Sequence, residues 1–135
     1  MARKRIESRL RNYGIYTKWD RKSSDLPQIK EFTHTIPAVE NIEFGYIANI
    51  RGGRGKLLEF TIEHPPILDS EGKELPVFEG TEQISSNDYN FYLGDCVWQP
   101  VEEKCGTWTM TISCCGEELE RMSFQVVPAS GNAAE

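Results

Sequence analysis

The stretch Gly106-Thr107-Trp108-Thr109-Met110-Thr111-Ile112 alternates threonines with large apolar side chains. In a β-strand successive side chains point to opposite faces, so Trp108, Met110 and Ile112 share one face and the three threonines share the other. A helical pitch would scatter the same six around a cylinder. β-branched residues on a wet face and bulky apolar groups on a dry one predict an antiparallel strand over a core.

Working outward, Cys115-Gly116-Glu117-Glu118 supplies turn chemistry, and Met122, Phe124 and Val126 resume the alternation, which makes a hairpin. Upstream, Ile42, Phe44, Tyr46, Ala48 and Ile50 alternate with Glu43, Gly45, Ile47 and Asn49. The turn Arg51-Gly52-Gly53-Arg54-Gly55 and then Leu58, Phe60 and Ile62 complete a second hairpin, stopped by Pro65-Pro66, which cannot donate to a ladder. Shorter runs at Tyr13 to Trp19, Glu31 to Ile36, Val77 to Ile84 and Tyr89 to Leu93 read as further strands. Seven to eight short strands with frequent turns and no amphipathic helix predict an all-β antiparallel sandwich.

The chain has 135 residues, enough for one core and too few for two. The sandwich is expected over residues 12–127, behind a basic, partly flexible arm at 1–11 and ahead of a flexible tail of small residues at 128–135. Charge is divided unevenly. Residues 1–22 carry eight basic and two acidic side chains, net +6, and the rest net −12. An acidic body repels a polyanionic backbone, so nucleic acid is an unlikely partner; the basic arm with Arg51, Arg54 and Lys56 is the only route to it. The basic start is not followed by the apolar stretch of a signal peptide, and no run approaches the length that spans a bilayer. The expectation is a cytoplasmic protein without a membrane partner.

Cys96, Cys105, Cys114 and Cys115 are expected to be free thiols in a reducing cytosol. Their spacing lacks the close Cys-x2-Cys pairs of zinc sites. Adjacent Cys114 and Cys115 would point to opposite faces of a strand and could meet on one ion only from a turn. No metal and no cofactor is implied.

Pro100-Val101-Glu102-Glu103-Lys104-Cys105-Gly106-Thr107-Trp108-Thr109-Met110 resembles the E-F corner of immunoglobulin-like domains. There a tyrosine hydroxyl ties the corner and a cysteine follows; here Trp108 and Met110 stand in those places. The resemblance implies an immunoglobulin-like sandwich without the inter-sheet disulfide. Over residues 12–127, a longer series of motifs resembles the bacterial family known as domain of unknown function 3859. They are Tyr13-Gly14-Ile15-Tyr16, Ile36-Pro37-Ala38, Ile42-Glu43-Phe44-Gly45-Tyr46-Ile47, His64-Pro65-Pro66, Ser86-Asn87-Asp88, Phe91-Tyr92-Leu93-Gly94-Asp95, Trp98-Gln99-Pro100-Val101-Glu102 and Gly106-Thr107-Trp108. The resemblance implies no activity and carries over no catalytic residue. It also implies no cysteine at Cys96, Cys114 or Cys115.

Arg51-Gly52-Gly53-Arg54-Gly55-Lys56 lacks the order and the following helix of a phosphate loop, and glycines with positive φ are what a tight hairpin needs. His34 and His64 are the only histidines, so a Cys-His or Ser-His-Asp catalyst must use one of them, and the alternative reading is a small-molecule or metal-dependent enzyme using His64 with Asp88 or Asp95. The plainer reading has His64 bonding the neighbouring loop, with Asn87, Asp88 and Asp95 closing Asx turns. Trp19, Arg51, Arg54 and Trp98 are the candidate partner-binding residues, exposed aromatic and basic groups being common at interfaces. The chain therefore reads as a non-enzymatic interaction module that binds an unidentified protein, or a second copy of itself, through an edge strand or a face.

Overall fold

The computed structural model describes residues 6–18 and 25–129. Among these residues the strands are β1 (Glu7–Tyr16), β2 (Ile29–Glu31), β3 (Thr35–Pro37), β4 (Glu43–Arg51), β5 (Leu57–Glu63), β6 (Phe78–Gln83), β7 (Asp88–Cys96), β8 (Gly106–Cys114) and β9 (Glu117–Val127). A 3₁₀ helix, Val101–Lys104, joins β7 to β8. The strands form a four-stranded sheet, β2-β1-β4-β7, and a five-stranded sheet, β3-β9-β8-β5-β6. Every neighbouring pair is antiparallel except β3 and β9, which run parallel.

The sheets enclose the alternation that predicted them. Trp108, Met110 and Ile112 are fully buried against Phe44, Tyr46, Ala48 and Ile50 of β4. Phe44 meets Trp108 edge-on, with ring centroids 5.5 Å apart. The Tyr46 hydroxyl donates across the core to the Met110 carbonyl oxygen at 3.1 Å. On the opposite face of β8 Thr107 is exposed and Thr109 half-buried, but Thr111 departs from expectation. It is only 8% exposed, in register between Thr61 and Arg121, and its hydroxyl has no hydrogen-bond partner among the described residues.

Nine strands replace the expected seven to eight because the run from Glu31 to Ile36 divides. Ile29–Glu31 pairs with β1, the backbone bends near His34, and Thr35–Pro37 joins β9 in the other sheet. The strand expected to begin at Tyr13 begins at Glu7. Glu7 to Arg11, assigned above to the arm, are the first half of β1, and Glu7 to Leu10 pair with β4. A bulge at Arg11 hides this half, because the extra residue resets which side chains face inward. Leu10 faces inward opposite Ala48, and beyond the bulge Tyr13 and Ile15 do so opposite Tyr46 and Phe44. Residues 1–5, 19–24 and 130–135, including Trp19, lie outside the described residues.

β4 is buried on both faces. On its outer face Ile47 lies beneath Tyr16 and Tyr92, whose rings meet at 5.0 Å. Gly14, Gly45 and Gly94 stand in register across β1, β4 and β7 and form a bare row there. Tyr92 covers it: a Cβ on Gly94 would sit 2.2 Å from the Tyr92 hydroxyl oxygen. That hydroxyl donates to the buried Glu43 carboxylate at 2.6 Å.

Candidate functional site

His64 follows β5 at one end of the sandwich. Its Nδ1 lies 2.8 Å from the Pro65 carbonyl oxygen and its Nε2 lies 2.7 Å from that of Pro76, while its ring packs on Phe78 at 4.4 Å. Both nitrogens therefore lie against carbonyl oxygens of the neighbouring loop. The Asp88 and Asp95 carboxylates are themselves separated by seven residues of one strand, about 23 Å. Asp95 accepts the amide of Cys96, the next residue of β7, at 2.8 Å, so it does not close the expected Asx turn by this bond. No hydrogen bond joins His64 to Asp88 or Asp95.

Trp98 lies at the same end. It is half-buried, its ring centroid 6.2 Å from Trp108 and 6.4 Å from Phe78. The Lys104 Nζ sits 4.3 Å from the Trp98 ring centroid, donates to the Pro100 carbonyl oxygen at 3.2 Å and is 3.8 Å from the Glu103 carboxylate. Lys104 is fully buried, and burial lowers its pKa. Trp98 thus closes the end of the core. Arg54 tips the β4–β5 turn, where Gly52 and Gly55 adopt φ of +78° and +85°. Its amide donates to the Asn87 side chain at 3.0 Å, which ties this turn to the one before β7. The glycine-rich segment is a hairpin turn.

Arg51 belongs to a different setting, the outer face of the four-stranded sheet. The register places Glu7, Arg51 and Asp88 in one row and Arg9, Asn49 and Asn90 in the next. Asn49 is 92% buried and is the hub of the two rows. Its Nδ2 donates to Asp88 at 2.7 Å and to Asn90 at 2.9 Å, and its Oδ1 accepts from the Arg51 Nε at 3.1 Å. The bulge at Arg11 sends that side chain across β4, where its Nη1 donates to Asn90 at 3.3 Å. Arg9 lies between them with no hydrogen bond or ion pair among the described residues. A shallow groove of about 550 Å³ is lined by Glu7, Ser8, Arg9, Asn49 and Arg51. A neighbouring hollow of about 400 Å³, also lined by Arg9, Asn49 and Arg51, reaches Arg11 and Asp88.

Of the predicted interface residues that are described, Arg51, Arg54 and Trp98, only Arg51 lines this surface. Arg9, Arg11 and Asn49 were not singled out. Arg9 and Arg11 read as a flexible basic arm because the bulge conceals their strand. Asn49 reads as one more wet residue because its burial is imposed by two neighbouring strands. The i, i+2 spacing of Arg9 and Arg11 around the inward Leu10 was the one usable signal.

None of the four cysteines is in a disulfide; Cys114 is buried, Cys115 is exposed and their sulfurs lie 3.3 Å apart. Among the described residues no three His, Cys, Asp or Glu side chains form a metal-binding group, and no helix is long and apolar enough to cross a membrane.

The fold is similar to the crystal structure of an immunoglobulin-like protein from Pseudomonas aeruginosa, with a TM-score of 0.71 over 90% of this chain and 97% of that one. The two are 19% identical, so the likeness is one of fold. No curated protein matches the chain. A family model described as a domain of unknown function matches residues 4–126, nearly the whole sandwich, and the chain belongs to that family, DUF3859.

Proposed function

We propose that this domain is a non-enzymatic protein-interaction module that receives an acidic polypeptide segment on the outer face of its four-stranded sheet. One observation carries the reading: Arg51, Arg11 and Arg9 project around a buried asparagine hub, and among the described residues the Arg9 side chain has no partner. Guanidinium groups held this way bind carboxylates with less loss of side-chain freedom than mobile ones. The three arginines outnumber the carboxylates of the same rows, Glu7 and Asp88, the latter 4.0 Å from the Arg51 Nε, so this face is locally positive on a chain whose net charge is −6.

The sheet edges are less suited to pairing with another strand. β2 and β3 have three residues each, and β3 ends on Pro37. β6 carries Glu79 and Glu82, β7 carries Asp88 and Asp95, and the part of β1 that β2 leaves uncovered carries Glu7, Arg9 and Arg11. Short, charged or covered edges are the usual protection against strand addition. A face, rather than an edge-strand dimer, is the contact we favour. Four cysteines outside any disulfide suit a reducing cytoplasm as the working compartment.

The test is fluorescence anisotropy with a labelled oligoglutamate peptide, competed by an oligonucleotide of equal charge. Binding that weakens with salt, disappears in the Arg9→Glu/Arg51→Glu variant and survives in Arg54→Glu supports the reading. No binding, equal loss in Arg54→Glu, or preference for the oligonucleotide overturns it.

A further inference from the structure

Neighbouring residues of an extended strand send their side chains to opposite faces, yet the sulfurs of Cys114 and Cys115 lie 3.3 Å apart. The turn explains the approach. β8 ends at Cys114, which pairs with Glu117 across a two-residue connection. In that connection Cys115 adopts φ of +58° and Gly116 φ of +81°. The left-handed step at Cys115 folds its thiol back beside that of Cys114. One thiol is exposed and the other sits at the rim of the core, opposite Leu58 in register.

Three kinds of chemistry compete for such a pair. A direct disulfide fits poorly, because adjacent Cα atoms are ~3.8 Å apart across a trans peptide and disulfides prefer ~4.4–6.8 Å. Zinc and similar ions need further protein ligands, and no third donor joins the pair among the described residues. The third class is a soft centre that needs only two sulfurs and brings its own remaining substituent. Two bonds of about 2.3 Å, the length of a metal–thiolate bond, would span the observed separation at an angle of ~90°. That angle belongs to a pyramidal trivalent centre rather than to a linear or tetrahedral one.

We infer that Cys114 and Cys115 form a dithiol site for monosubstituted trivalent arsenicals, R–As(OH)2. The exposed Cys115 sulfur adds first and the neighbouring Cys114 closes the ring. Two As–O bonds break and two S–As bonds form. Each thiol proton leaves with one hydroxyl as water, and arsenic stays trivalent, so no oxidant or reductant takes part. Burial pushes the Cys114 thiol up to about 11, so it enters as the neutral thiol and its proton departs with the second water. The site is independent of the arginine face, which lies on the other sheet.

The experiment treats the native protein with equimolar phenylarsine oxide and follows it by intact mass and maleimide mapping. The expected result is one phenylarsenic adduct per chain, with Cys114 and Cys115 protected, Cys96 and Cys105 still labelled, and reversal by ethanedithiol but not by an equal amount of monothiol. Cys115→Asn keeps a residue that tolerates the left-handed conformation and should fold and lose the adduct, whereas Cys96→Ser/Cys105→Ser should keep it. No adduct, an adduct that persists in Cys115→Asn, or one that forms only in urea overturns the assignment.

Discussion

The indole N–H of Trp108 donates to the carbonyl oxygen of Lys104 at 2.8 Å, four residues back along the chain. In immunoglobulin-like corners this closure is made by a tyrosine hydroxyl; here an indole makes it from the first turn of β8. The same ring is fully buried and meets Phe44 and Trp98 edge-on, so one side chain ties the corner and fills the core.

Trp108→Phe should therefore lose more than area. It opens space in a packed interior and leaves the Lys104 carbonyl without its donor. A loss of about 3 kcal/mol is expected in urea unfolding from these two effects. Trp98→Phe, at a half-buried position with no such bond, should lose about 1 kcal/mol. Equal losses would show that the corner bond contributes nothing.

The glycines separate into two groups. A Cβ on Gly45, where φ is +155°, would lie 2.2 Å from the Leu93 carbonyl oxygen, whereas one on Gly55 meets nothing within 4 Å. Gly45→Ala should prevent folding or cost about 4 kcal/mol, since backbone has to move on a central strand. Gly55→Ala carries only the penalty of a left-handed alanine, about 1–2 kcal/mol. Chemical denaturation of the two variants under identical conditions makes the comparison.

Lys104 offers a test of buried charge. Burial lowers its pKa, against the opposing influence of Glu103. The folded chain holds this proton less tightly than the unfolded chain, so stability rises with pH between the lowered value and the ordinary lysine value near ~10.4. Lys104→Met keeps most of the stem and removes the charge. Its unfolding free energy at pH 7 should be unchanged or higher by about 1 kcal/mol, and the rise with pH should vanish. A large loss at pH 7 would mean that the contacts with Trp98 and Pro100 outweigh desolvation.

At higher pH the tyrosines take over. Burial raises the pKa of Tyr46, with Glu120 and Glu118 adding to the shift, and burial raises that of Tyr16. Unfolded tyrosine ionises near ~10, so above that pH the unfolded chain releases protons that the folded chain keeps. Their contribution to stability is complete below pH ~10 and falls above it, by about 1.4 kcal/mol per pH unit for each tyrosine. Tyr46→Phe should lose about 1 kcal/mol at neutral pH with its bond to Met110 and show a shallower alkaline decline. Urea midpoints between pH 7 and pH 11 measure both.

The parts of the fold that were legible are those where one periodic pattern runs unbroken. β8 is such a case, because Trp108, Met110 and Ile112 keep step for its whole length. β1 is not, because the bulge at Arg11 shifts the phase between Leu10 and Tyr13. The division of β2 from β3 leaves no mark in hydropathy, since a strand that changes sheets still alternates. His64 was legible as a loop-bonding residue because the prolines after it expose carbonyls to its ring. The arginine face was not, because it depends on Asn49 meeting side chains from strands about forty residues away. The closeness of Cys114 and Cys115 depends on one backbone dihedral, which composition does not reveal.

The parallel pairing of β3 with β9 also imposes an order on biosynthesis. All four strands of one sheet have been translated once Cys96 is made, yet β3 has no neighbour until residues 125–127 follow. Ile36 must wait through about ninety residues of translation before Val126 arrives beside it. This long-range closure places the domain among the slower-folding topologies.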